Sequence, residues 1–261
     1  MKKSALITLL ALASFSSFAN ADSVLRFGVD PTFAPFETKA PDGSLAGFDI
    51  DLGNAICQEL KVKCQWVETA FDSIIPALDA KKFDAVLSAM SVTPKRQAQV
   101  DFSDTLYHIP SVLIAKKGSN ILPTPESLQG KSIGVAQGTI QEAYAQALWQ
   151  SKGVNVVSYQ NQDLVNQDLE SGRVDATLTN AAAAQTGFLD TAAGKGFAFS
   201  GEMLTDPKYL GAGTAIGLRK GDKEHQEMIN KALVAIHQNG TFEKIEKKYF
   251  SFEVYNKKPQ A

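Results

Sequence analysis

The chain is poor in the residues that mark metal and nucleophile chemistry: it has two cysteines, three histidines and two tryptophans in 261 residues. The histidines, His108, His225 and His237, share no metal-ligand spacing, and the latter two fall on a polar C-terminal helical segment. No G-x-S-x-G elbow occurs, and nothing beyond composition marks a Ser-His-Asp set. Gly130-Lys131-Ser132 looks like the end of a phosphate-binding loop, but Pro125 stands where the first glycine is required. No stretch beyond the N-terminus approaches the roughly 18 apolar residues that would span a bilayer. Net charge is also small, at −2, which argues against nucleic acid or an anionic membrane as partner. Composition alone does not exclude an enzyme, but no catalytic constellation stands out.

What is there begins with an export signal. Lys2 and Lys3 form a basic start, residues 5–18 are apolar or small, and Ala19-Asn20-Ala21 is an A-x-A site. The expectation is a signal peptide over residues 1–21, cleaved after Ala21, and a mature protein in the periplasm. Without Lys2 and Lys3 the 26 basic side chains become 24, against 28 acidic ones, for a net charge of −4. No cysteine falls in the first mature positions, so a lipid-anchored form is not expected. Cys57 and Cys64 lie close together in an exported chain and read as a disulfide closing the loop CQELKVKC. The alternative is a two-cysteine metal site, for which no histidine or further cysteine lies near enough.

Periodicity organises the rest. Strands at 24–29, 64–68 and 84–90 alternate with helices at 47–60 and 71–80, a β-α-β-α-β run that implies a mostly parallel sheet. After a Pro-containing link at 118–127 the pattern starts again. Strands at 131–136, 154–159 and 174–179 alternate with helices at 140–150, 162–171 and 181–189. A Gly-rich strand at 211–219 and helices at 223–239 and 241–250 follow. The reading is an α/β protein of two lobes, each a mostly parallel sheet flanked by helices, with two crossover hinge strands and a ligand cleft between lobes. Residues 22–110 are the first part of lobe 1, 111–204 lobe 2, and 205–261 the hinge return and second part of lobe 1. Ligands of open parallel sheets bind outside the carboxyl ends of the strands. That places 30–36, Phe71, 88–96, 137–141 and 179–180 around the cleft.

The stretch SAMSVTPKRQAQVDFSD (88–104) carries the most chemistry. Thr93 sits where a helix N-cap belongs, and Pro94 at the first helical position, where its missing N–H costs nothing. Arg96 follows in the first turn. Helix-start N–H groups, serines and one guanidinium can converge on a small anion, and a carboxylate suits Arg because the contact is bidentate. The plainer reading of Arg96 is a solvated charge. Asp49 and Asp51, two apart on a helix, read as capping or solvated charges.

These motifs together carry a resemblance. GFDIDL (47–52), the Cys57/Cys64 pair, FDSIIPAL, SVTPKRQAQVDFSD, KSIGVAQGTIQEAYA and SGRVDA resemble the periplasmic amino-acid-binding proteins of ABC transporters, in their lysine/arginine/ornithine- and histidine-binding branch. The similarity runs through nearly all of the mature chain. It implies a two-lobed, hinged monomer that closes on one small amino-acid-like ligand and delivers it to a membrane permease. No cofactor, metal or catalysis is implied. By the resemblance Arg96 clamps the α-carboxylate, helped by main-chain N–H groups near Ser91 and Thr139. Asp30 receives a cationic side chain, on which Phe33 and Phe71 stack. Ser88, Ser91 and Gln141 line the pocket. Phe33 and Phe71 would equally suit an ordinary core, and Asp30 a loop cap.

Several positions depart from the branch. Phe33 replaces a usual Tyr, Ala89 and Ile140 replace hydroxyl residues, and Ala136 is smaller than the usual Leu. Asn180 occupies the place of the carboxylate that pairs with the ligand's α-ammonium, and residues 176–189 contain no Asp or Glu. The expected ligand is therefore a basic amino acid bound modestly, or a related compound whose α-amine is absent or substituted. Two rivals remain at this level. One is an exported dehydratase on the same fold, acting on prephenate or arogenate, and the other a ligand sensor for a membrane receptor.

Overall fold

The structure, a computed structural model, describes residues 23–251 and residue 254; the export signal read over residues 1–21 lies outside them. In chain order, β1 (Val24–Val29) leads into a small antiparallel sheet of β2 (Thr32–Phe33), β3 (Glu37–Lys39) and β4 (Leu45–Ala46). Then come α1 (Phe48–Leu60), β5 (Lys63–Glu68), α2 (Ile74–Asp79), β6 (Ala85–Val86), α3 (Pro94–Gln97) and β7 (Val100–Tyr107). The chain continues through β8 (Ser111–Lys116), α4 (Pro125–Leu128), β9 (Ser132–Ala136), α5 (Ile140–Leu148) and β10 (Asn155–Tyr159). Next are α6 (Gln162–Ser171), β11 (Ala176–Asn180), α7 (Ala181–Ala184) and β12 (Phe197–Phe199). It ends with β13 (Thr214–Arg219), α8 (Lys223–Gln238) and α9 (Thr241–Tyr249).

Two five-stranded sheets result, ordered β5-β1-β6-β13-β7 and β10-β9-β11-β8-β12. They are built alike. In each, three parallel strands stand side by side and an antiparallel strand joins the third: β13 beside β6 in one, β8 beside β11 in the other. The antiparallel member comes from the far end of the chain in the first sheet and from the first strand after the crossing in the second. The chain therefore passes between sheets twice. Lone bridges at Ser111–Leu204 and Ser91–Thr214 tie the two crossings. This is the two-lobed periplasmic-binding-protein fold.

Apolar spacing explains the layers. Leu25, Phe27 and Val29 of β1 are buried, and Phe48, Leu52 and Ile56 repeat at four-residue intervals on α1 and are fully buried. Together with Ile229, Leu233 and Ile236 of α8 and Phe242 of α9 they fill one face of the first sheet. Ile74 and Leu78 of α2, with Phe83, Val86 and Met90, fill the other. The α1 helix stops at Lys61 in the left-handed conformation, and Cys57 is disulfide-bonded to Cys64 on β5. Helix α6 ends at Gly172 in the same conformation, which glycine adopts without steric cost.

Three expectations are corrected. The strand read over 84–90 pairs only at Ala85 and Val86, because Ala89 has φ of 46° and turns the chain out of the ladder. The helix read over 181–189 is a single α-turn, Ala181–Ala184, continued by a wider π-type turn, Gln185–Leu189. Strand β7 was not expected, since VDFSDTLY mixes Asp, Ser and Thr into what pairs with β13 through two register shifts.

Candidate functional site

Both sheets point the carboxyl ends of their parallel strands at one cleft with an empty volume of about 540 Å³. All twelve residues singled out above line it: Asp30, Phe33, Phe71, Ser88, Ala89, Ser91 and Arg96 from the first lobe, and Ala136, Thr139, Ile140, Gln141 and Asn180 from the second. Thr32 and Gln137, from the stretches placed around the cleft, also line it, and Glu37, Gln160, Asn161 and Gln162 complete the wall and were not picked out. The amides escaped notice because polar residues at the start of α6 and just before it read as an ordinary solvated helix start.

Arg96 is buried rather than solvated, at 8% exposed. Thr93 caps α3 as expected, its hydroxyl accepting the Arg96 N–H at 3.2 Å, so the helix start fixes the root of the side chain. The guanidinium donates to Ser91 O at 2.8 Å and, across the cleft, to Gly138 O at 3.0 Å. Its carbon lies 5.3 Å from the centre of the Phe71 ring. Burial pulls it down to about 10, and no carboxylate of the described residues lies within ion-pair distance. A cation held this way has donors left over for an anion.

Asp30, also 8% exposed, stands at the other end. Its Oδ1 accepts from the Thr32 hydroxyl at 2.7 Å and its Oδ2 from the Phe71 N–H at 2.9 Å. Burial holds its carboxyl above the usual range despite both bonds. Asp163 of α6, an exposed side chain near Asp30, is raised first by partial desolvation and then by the Asp30 charge. Two acids from opposite lobes thus stand near one another at the outer edge of this end of the cleft. Sequence gave no sign of Asp163, which sits on an otherwise exposed helix turn.

The second lobe's wall is neutral. Thr139 caps α5, accepting the Glu142 N–H at 3.1 Å and donating to Ala136 O at 2.7 Å, so its hydroxyl has no proton left to donate to a ligand. Gln141 donates to the Ser111 hydroxyl at 2.9 Å. Asn180 caps α7 through Oδ1, which accepts from Ala182 N at 2.9 Å and Ala183 N at 3.2 Å. Those two hydrogen bonds fix the amide orientation and leave the Asn180 NH₂ without an acceptor among the described residues.

The lobes are in contact. A Cβ added to Gly138 would lie 2.7 Å from Asp72 Cα, and one added to Gly187 would lie 2.8 Å from Ala34 O. Among the described residues no group of three or more His, Cys, Asp and Glu could hold a metal. Asp49, read as capping or solvated, is neither: it is fully buried under the cleft, bonded to the Ala89 N–H at 2.7 Å.

Comparison with known proteins settles the family. The model for bacterial extracellular solute-binding proteins, family 3, matches residues 25–252. The chain belongs to that family. Within it, the lysine/arginine/ornithine-binding periplasmic protein of Escherichia coli (strain K12) is 53% identical over 98% of this chain and 99% of its own. The L-arginine-binding protein of Pseudomonas aeruginosa is 46% identical, again over 98% of this chain and 99% of its own. A solved ancestral arginine-binding protein bound to arginine superposes with a TM-score of 0.82 at 38% identity, covering 88% of this chain and 99% of that one. This solute-binding protein therefore sits among the periplasmic amino-acid-binding proteins of ABC transporters, as its motifs suggested. Its work is binding, not catalysis.

Proposed function

We propose that this protein captures a small cationic amino acid or a close relative in the periplasm and hands it, as a monomer, to the membrane permease of an ABC importer. One observation carries the reading: a buried guanidinium without a carboxylate partner, Arg96, shares a cleft with a buried carboxylate without a cation partner, Asp30. A molecule with a carboxylate at one end and a cation at the other neutralises both. Arg96 takes the carboxylate, with the main-chain N–H groups of Ser91 and Thr139. Asp30 takes the cation, reinforced by Asp163, and Phe33 and Phe71 hold the alkyl or guanidinium portion between them. Ser88, Ala89, Ala136, Ile140 and Gln141 set the width of the pocket. Residues 22–110 and 205–261 act as one lobe and 111–204 as the other, closing about the two crossings once the leader is removed after Ala21.

Asn180 narrows the ligand class. It offers the cleft an N–H donor, and an ammonium facing a donor gains nothing. The fuller reading is a ligand whose α-amine is absent or substituted: a guanidino- or ω-amino-carboxylate, or an opine-like N-substituted amino acid.

Calorimetry with arginine, lysine, ornithine, histidine and glutamine tests the class. A basic ligand binding in the wild type and lost in Arg96→Met supports it. Glutamine as the best ligand contradicts it.

A further inference from the structure

At the cleft floor Glu37 and, beneath it, Asp49 bring two buried carboxyl groups together with no cation of the described residues bonded to either. Glu37 on β3 is 1% exposed and Asp49 on α1 is fully buried, and the two hold adjacent residues of one turn, Glu37 through the Ser88 hydroxyl and Asp49 through the Ala89 N–H. The donors around them are unequally shared. Asp49 accepts the Ala89 N–H at 2.7 Å, and the Tyr107 hydroxyl lies 3.1 and 3.3 Å from its two oxygens. Glu37 Oε1 accepts only the Ser88 hydroxyl, at 3.0 Å, and no N–H or O–H of the described residues reaches its buried Oε2. Two neighbouring buried carboxyls cannot both ionise, and a buried oxygen that no donor reaches favours the protonated form. The proton belongs on the side with fewer donors.

We propose that Glu37 is the protonated member of a proton-sharing pair with Asp49, and that its proton positions the Ser88–Ala89 turn of the cleft. The turn hangs from the pair at both residues. Ser88 donates to Glu37 and accepts the Asp30 N–H at 3.0 Å, so the acid at the cation end is oriented through the same chain of bonds. Ala89 sits at φ of 46°, which L residues rarely adopt, and Asp49 holds its N–H there. Glu37 is thus a positioning residue for the binding site.

The groups facing Glu37 are Asp49 from α1, Tyr107 from β7 and Asp30 from the loop after β1. Arg96 is the only cation among the described residues lining the same cleft. Burial first, then the neighbouring charges, pushes Glu37 well above its ordinary range; burial lifts Asp49 to about 7. Because both are raised in the folded state, the pair's contribution is complete in acid and is lost as pH rises through the raised values. Above them two facing carboxylates repel and release the turn.

The inference is independent of which ligand binds. The test is a carboxyl-carbon NMR titration of the mature protein labelled at Glu and Asp. It is joined by melting curves and L-arginine calorimetry of wild type and Glu37→Gln between about pH 6 and 9. Gln cannot ionise, yet its amide still donates toward Asp49. A resonance missing from Glu37→Gln should titrate well above the ordinary carboxylate range. Wild-type melting temperature and L-arginine affinity should fall toward alkaline pH, affinity by roughly tenfold or more, while the variant stays nearly flat. A Glu37 resonance titrating in the ordinary carboxylate range, or identical pH profiles for the two proteins, overturns the proposal. If L-arginine binds at no pH, the ligand reading is at fault and the titration and melting profiles still decide the pair. Should Glu37→Gln not fold, the wild-type titration decides, with Asp49→Asn as the second variant.

Discussion

Phe71 links the two charged ends of the cleft: its N–H donates to Asp30 Oδ2 at 2.9 Å while its ring centre lies 5.3 Å from the Arg96 guanidinium carbon. One residue therefore sets the distance between the group that takes an anion and the group that takes a cation. A ligand must match that span at both ends, which favours extended molecules over compact ones.

Arg96→Met should nearly abolish ligand binding. Leaving a buried charge without its partner costs about 3–5 kcal/mol, or roughly two to three and a half decades in Kd. The variant also loses the bond to Gly138 O, an inter-lobe contact, so the closed form weakens as well. Circular dichroism should show an intact fold. A calorimetric Kd within threefold of wild type would contradict the assignment.

Asp30→Asn should weaken arginine- or lysine-like ligands far more than neutral ones. The wild type should show a pH dependence of definite sign. The carboxylate must be ionised to hold a cation, and burial raises it above the ordinary range. Affinity for a basic ligand should fall as pH drops through that raised value, at a higher pH than an ordinary carboxylate would give. Asp30→Asn should flatten this acid limb. Equal weakening of glutamine and arginine by the substitution would remove Asp30 from the cation's side.

Gly138→Ala tests closure. Gly138 has φ of 74°, and a Cβ there would meet the Asp72 backbone across the cleft at 2.7 Å. The left-handed penalty of about 1–2 kcal/mol acts in open and closed forms alike. The clash acts only when the lobes meet, and the main chain cannot retreat as a flexible side chain would. Affinity should drop by roughly tenfold or more, with X-ray scattering of the liganded variant showing a larger radius than wild type. Unchanged affinity and radius would mean that the lobes need not approach this closely on binding.

Much of the site was legible because its signals are local. Thr93-Pro94 is a cap signature, and it turned out to cap its helix and to place Arg96 beside the cleft; the cap that Thr139 makes on α5 was not read. Gly172 marked the end of α6 for the same reason. What escaped depends on partners distant in sequence. Asp49 looks like any acid near a helix start; its partners Ala89 and Tyr107 lie 40 and 58 residues away. Strand β7 owes its pairing to β13, more than a hundred residues later, so its own mixed pattern did not declare it. Glu37 gains its environment only when β3, α1 and the Ser88–Ala89 turn pack together, and Asp163 only when α6 comes near Asp30 of the other lobe.

Reduction of the Cys57–Cys64 bridge should lower the melting temperature modestly. A short closed loop limits the chain-entropy contribution to about 2–3 kcal/mol. The bridge joins α1 to β5, and neither cysteine lines the cleft. Ligand affinity measured below the transition should therefore barely change on reduction. A large loss of affinity in Cys57→Ser/Cys64→Ser would show that the α1–β5 packing reaches the site.

Asn180→Asp should reverse the preference among ligands that differ only at the α-amine. In the wild type the Asn180 oxygen is held by Ala182 N and Ala183 N, so the amide nitrogen is what meets a ligand. Asn180 begins α7 at the end of β11, and β11 pairs with β9, the strand that leads to Gly138. Adjacent strands lie about 4.8 Å apart, so a ligand carboxylate at Arg96 brings its α-substituent toward Asn180. Among the described lining residues the second lobe offers no carboxylate to receive an ammonium there. A charge-assisted hydrogen bond contributes about 1.5–3 kcal/mol, roughly twice a neutral one. Calorimetry should give 4-guanidinobutyrate and 5-aminovalerate tighter binding than arginine and lysine in the wild type. Asn180→Asp should improve arginine by about tenfold or more and weaken the amine-free compounds, since a carboxylate without its ammonium is left to desolvate. Tight arginine binding that Asn180→Asp leaves unimproved would show that the donor at this position does not govern the choice.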